Sequence, residues 1–133
     1  KIPKTYKFKE DMDALGAQIA EEFKETVKRN IETNKFKYTL AESTRKKKHG
    51  GVPLINSGVM LDAIYREGTF VSVEDTPRTD SPLTNLQLAK VHEYGTKDKH
   101  IPARPVWRDS FAAFKPVARK RIEQFFKKHG SKR

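Results

Sequence analysis

Between His92 and Trp107 the chain reads His-Glu-Tyr-Gly-Thr-Lys-Asp-Lys-His-Ile-Pro-Ala-Arg-Pro-Val-Trp, and no single helix or strand can run through it. Gly95 can take backbone angles that other residues avoid, while Pro102 and Pro105 fix φ and each remove a backbone donor. The chain must therefore leave one element here, turn, and enter another at a set angle. Pro105 suits the first turn of the helix that follows.

Two long amphipathic stretches lie on either side of this punctuation. Met12, Leu15, Ile19, Phe23, Val27 and Ile31 recur at steps of three and four, the spacing of one helical face, which predicts a helix over residues 11–32. Asp11 or Asp13 can cap its start, the acids Glu10, Asp11 and Asp13 suit the positive end of its dipole, and Asn30 and Asn34 fall near its end. After Pro105, Trp107, Phe111, Phe114, Ala118, Ile122, Phe125 and Phe126 mark a second helix running to about Lys128. Pro116 lies inside it, at a cost of about 3 kcal/mol unless the helix kinks, so a bend near Phe114 is expected.

The middle of the chain is more broken. From Asn34 to Gly51 the apolar period disappears, and residues 34–51 read as a mobile basic loop. Ser57 is a natural cap for a short helix through Ala63, with Val59, Met60, Leu61 and Ile64 turned inward. A turn around Glu67 and Gly68 then leads into a strand carrying Phe70, Val71 and Val73, and residues 76–82 form a polar loop. Leu86 and Leu88 alternate as in a strand, followed by a turn of helix that ends at Gly95. Two long helices flanking a small, mostly antiparallel sheet, with a long basic loop, make a single α+β domain over residues 1–133, ending in a flexible basic tail at 129–133.

The net charge of +11 is concentrated. Residues 34–49 carry six basic side chains against Glu42, and residues 115–133 carry eight against Glu123. A near-neutral body with two basic appendages is suited to docking onto something acidic. Hydrophobic content of 35% implies thin layers or further burial against partners. No run approaches the roughly 18 apolar residues of a membrane span, and Lys1-Ile2-Pro3-Lys4 lacks a signal peptide's apolar core. With no cysteine there is neither a disulfide framework nor a thiolate metal cage.

Two blocks then stand out for their order and spacing. The first is Pro53-Leu54-Ile55-Asn56-Ser57-Gly58-Val59-Met60-Leu61 with Ala63 and Ile64, preceded by Leu40, Thr44 and Lys46. The second is His92-Glu93-Tyr94-Gly95-Thr96, followed by Ile101-Pro102-Ala103-Arg104-Pro105. Together they resemble the tail-completion or head-tail joining proteins in the neck of long-tailed double-stranded DNA bacteriophages. Ser57 stands where that family usually has Thr, and Val106-Trp107 where it usually has Phe. The matched segments span roughly residues 10–128. The resemblance implies an α+β structural virion protein that forms a ring, a hexamer or dodecamer, at the head-tail interface. It also implies that the ring completes the tail and joins it to the head connector or stopper protein on one side and the tail terminator or tail tube protein on the other. The place of action would be the virion neck, after assembly in the host cytoplasm, with phage DNA passing through the channel and no membrane involved.

Chemistry is weaker than architecture. His92-Glu93 invites comparison with the zinc-protease motif, but that motif needs a second His four residues on, and position 96 is Thr. His49 and His100 could join a site only through tertiary proximity. A Ser57, His92 and Asp62 triad fails because Asn-Ser-Gly is not the Gly-x-Ser-x-Gly elbow. No phosphate loop or dinucleotide glycine pattern occurs. The expectation is therefore a non-enzyme without cofactor or metal, in which His92, Glu93, Tyr94, Gly95, Pro102, Arg104, Pro105 and Trp107 build a structural or interface motif. Arg104, between two prolines, is expected in a two-pronged ion pair within the subunit or across an interface. Arg45, Lys46, Lys47, Lys48, Lys120 and Arg121 are candidates for contact with DNA phosphates or an acidic partner. The alternative reading is a basic nucleic-acid-binding module, consistent with a pI of 9.9.

Overall fold

A computed structural model describes residues 4–36, 59–78, 82–97 and 102–129. In chain order these form α1 (Lys4–Thr33), α2 (Val59–Asp62), β1 (Ile64–Glu67), β2 (Phe70–Val73), α3 (Asn85–Tyr94) and α4 (Val106–His129). The α+β class and the two long helices agree with the sequence reading, and the sheet is an antiparallel hairpin pairing Ile64 with Val73 and Glu67 with Phe70. Ser57, the Arg45 to Lys48 run, most of the basic loop, nearly all of the tail and the side chains of Val59 and Met60 lie outside the described residues.

The long helices pack against each other in antiparallel fashion. Near the start of α1, Phe8 meets Phe125 with ring centroids 5.5 Å apart. Further along, Phe23 sits among Trp107, Phe111 and Phe114. Near the end of α1, the Asn30 amide donates to Ser110 Oγ at 2.9 Å, both residues being buried. The hairpin lies against α1, and the core forms where α1, the hairpin, α3 and the start of α4 converge, around Val27, Ile31, Ile64, Val73, Ala89 and Val106.

α1 begins earlier than its apolar stripe predicts. Asp11 and Asp13 are therefore helix-interior residues rather than caps, and each pairs with a lysine one turn before it, Lys7 at 3.8 Å and Lys9 at 3.7 Å. These i,i+4 pairs flank Phe8, which extends the apolar stripe one turn before Met12. The far end matches expectation. Asn34 takes φ of 49°, its N–H donates to the Ile31 carbonyl and the Lys35 N–H donates to the Asn30 carbonyl, which together close a Schellman motif.

The strand expected at Leu86 and Leu88 is instead part of α3. Thr84 and Gln87 form a reciprocal capping box, with the Gln87 N–H donating to Thr84 Oγ1 at 3.2 Å and the Thr84 N–H donating to Gln87 Oε1 at 2.9 Å. Asn85 is buried, donating to Thr76 Oγ1 at 2.8 Å and accepting from Arg78 Nη1 at 2.6 Å, and this fixes the helix start against the preceding loop. Those two bonds override the alternation of two leucines.

α4 runs without interruption through Pro116, so the helix does not stop and restart there. Pro116 and Ala112, whose carbonyl loses its donor, are both exposed, and water can satisfy that carbonyl. Pro105 precedes the helix rather than occupying its first turn, because its carbonyl already accepts the first helical bond, from Asp109 N–H at 2.9 Å. The apolar stripe of α4 is also wider than its partners cover. Phe114 and Phe125 are buried, whereas Phe111, Ile122 and Phe126 are exposed.

Candidate functional site

The punctuated segment folds into a joint between α3 and α4. α3 ends at Tyr94, and Gly95, at φ of 73°, donates its N–H to the Val91 carbonyl at 2.7 Å, a conformation that glycine tolerates best. The chain returns at Arg104, whose N–H donates to the His92 carbonyl at 2.6 Å, and the Val106 N–H donates to the Arg104 carbonyl at 2.7 Å across Pro105.

Glu93 completes the joint. A proline just before a helix offers no side-chain oxygen to its first N–H groups, and those groups are orphaned unless something else accepts them. The Glu93 carboxylate reaches across from α3 and takes two, Trp107 N–H at 2.9 Å and Arg108 N–H at 3.0 Å. A carboxylate at this end of α4 also faces the positive end of its dipole. Arg104 is buried, and desolvation pulls its guanidinium below the ordinary arginine value while leaving it charged. Trp107 is half-buried against Phe23.

At the end of α3 Tyr94 is 76% exposed. It stands at the lip of a crevice of about 200 Å³ between β2, α3 and the first turn of α4 that includes Val71, Leu86, Ala89 and Trp107. Pro102 is exposed as well. The structure thus brings His92, Glu93, Gly95, Arg104, Pro105 and Trp107 into one hydrogen-bonded unit and turns Tyr94 outward. A side chain with a flat apolar face and a polar tip, held on an ordered backbone, is suited to protein contact at little cost in entropy.

The basic candidates separate. Lys120 is exposed on α4. Arg121 is half-buried, and its Nε donates to Glu22 Oε1 at 3.1 Å, tying α4 to α1. Among the described residues no group of three or more His, Asp or Glu side chains converges as a metal site, and Ser57, His49 and His100 lie outside that set. No described helix is long and apolar enough to cross a membrane.

Sequence reasoning missed two features. One is the link from Arg66 on β1 to Glu21 on α1, with Nε to Oε1 at 2.8 Å, which anchors the hairpin to the long helix. Nothing in the sequence pairs two surface charges 45 residues apart. The other is an apolar groove of about 600 Å³ between α1, the hairpin and α4, lined by Gly16, Ile19, Phe23, Phe111, Ala118 and Ile122. The signal for the groove was present, since the α4 stripe carries more apolar residues than one partner helix can bury. Comparison with protein-family models, curated proteins and solved structures returns no match.

Proposed function

We propose that this chain is a structural, non-enzymatic virion protein of a phage neck. It forms a ring at the head-tail interface that completes the tail and joins it to the head connector. The observation that carries the reading is the joint formed by residues 92–97 and 102–108, whose glycine and prolines are spent on holding a backbone in place and presenting Tyr94, rather than on assembling reactive groups. Uncovered Phe70, Val117 and Phe126 support it further, because exposed large apolar residues on a small domain are accounted for when neighbouring subunits bury them. Ring closure follows when one such surface meets a different surface on the next copy and the rotation closes.

The partners proposed are further copies of the chain, the head connector or stopper protein, and the tail terminator or tail tube protein. Exposed Lys120, with Lys115, Arg119, Lys127 and Lys128 on the same helix, favours a second reading in which the chain binds nucleic acid, as a free module or along a DNA channel. Antibody labelling of purified virions tests the first reading. Label confined to the junction of head and tail supports it, and label along the tail or throughout the head contradicts it.

A further inference from the structure

The hairpin is much shorter than the helix pair it rests on. α1 has 30 residues, about 45 Å of helix, whereas each strand has four, about 13 Å. The hairpin reaches α1 at Gly16, where its turn residue Thr69 comes so close that a Cβ built on Gly16 would lie 2.9 Å from Thr69 Cγ2. The seam between α1 and α4 is otherwise open along this side. Phe111 is 56% exposed and Ile122 41%.

We propose that this groove seats an amphipathic helix from a partner protein, with carboxylates flanking its apolar face. The seam is walled by two helices whose backbone groups already bond within themselves. An extended strand lying there would therefore leave its own N–H and C=O groups unsatisfied, and a helix would not. The groove is concave and backed by the hairpin, whereas a membrane-inserting face would have to project. Its mouth is basic, since Lys115 and Arg119 line it against the lone carboxylate of Glu123. Arg119 joins no ion pair among the described residues, and Lys115 lies over the Phe111 ring, 5.9 Å from its centroid. A second copy presenting α4, which carries seven basic side chains against Asp109 and Glu123, fits this mouth poorly. The inference does not depend on the neck reading, because it concerns which chemistry the groove accepts.

The test uses the full chain and a synthetic amphipathic peptide of roughly 18 residues, long enough for a helix to form, with Leu at helical spacing and Glu on the flanks. An isomer with Lys on the flanks serves as its pair. NMR titration is expected to move the methyl signals of Ile19 and Ile122 with the Glu peptide and to show affinity about tenfold weaker for the Lys peptide. Ile122→Glu, at an exposed position, should weaken the Glu peptide by about tenfold or more with the helical circular dichroism unchanged. The double variant K115E/R119E should reverse the preference between the two peptides. Equal affinity for both peptides, or binding unaffected by Ile122→Glu, would overturn the proposal. So would self-association that Ile122→Glu abolishes, which would give the groove to a second copy, or an oligonucleotide that moves the same methyl signals while the peptide moves none.

Discussion

Glu93 holds Trp107 in place through the backbone, its Oε1 accepting the Trp107 N–H at 2.9 Å while Oε2 accepts the Arg108 N–H at 3.0 Å. One carboxylate near the end of α3 thus supplies the cap that Pro105 cannot give α4. The angle between the two helices is set by this contact and by the bond from Arg104 N–H to the His92 carbonyl.

Glu93→Ala should cost about 1–2 kcal/mol, the usual range for a lost helix cap with a dipole contribution. Glu93→Gln keeps an acceptor oxygen and should lose less. Urea unfolding followed by circular dichroism measures both, and an alanine variant with the wild-type midpoint would show that the cap does not contribute to stability.

The Asn30 to Ser110 bond joins the two long helices inside the core. Ser110→Ala orphans a buried amide and should cost about 1–3 kcal/mol, and a double-mutant cycle with Asn30→Ala should give a clear coupling energy. Additive single effects would rule out the bond as a stabilising contact.

The long helices were legible because burial of one face imposes a period, and the joint was legible because glycine and proline restrict the backbone directly. α3 was missed although its capping box was visible as Thr84-Asn85-Leu86-Gln87, since two alternating leucines were weighed above it. The start of α1 was missed although Phe8, four residues before Met12, extends the stripe and packs on Phe125, because the residues around Phe8 are polar and charged. Pro105 had the right neighbourhood and the wrong position, because which residue's carbonyl accepts the first helical bond depends on the joint as a whole. The groove was legible only as an apolar stripe on α4 wider than one partner helix can bury. A stripe records which residues are apolar, while exposure of Phe111 and Ile122 depends on how far the hairpin extends.

Gly16→Ala gains helix propensity of about 1 kcal/mol but pushes a methyl against Thr69. The substitution should therefore stabilise the protein more in a Thr69→Ala background than in the native one. Thermal melts of the four combinations decide this, and equal gains in both backgrounds would mean that Thr69 moves aside freely.

Hydrogen bonds from Arg66, then Lys24, hold the Glu21 carboxyl below its ordinary value of 4.5. A carboxylate with a lowered folded value contributes stability that is present above its unfolded value and is lost as pH falls through the folded one, so this contribution fades below about pH 4.5. Arg66→Ala should raise the Glu21 value, as read by NMR titration of its side-chain carboxyl carbon. An unchanged titration would remove Arg66 as the cause.

The proposed neck role is tested most directly by deleting the gene from the genome that carries it and imaging the resulting particles by electron microscopy. DNA-filled heads lying beside separate tails, restored to joined particles when the wild-type chain is supplied in trans, are the predicted result. Intact joined virions from the deletion would contradict the account.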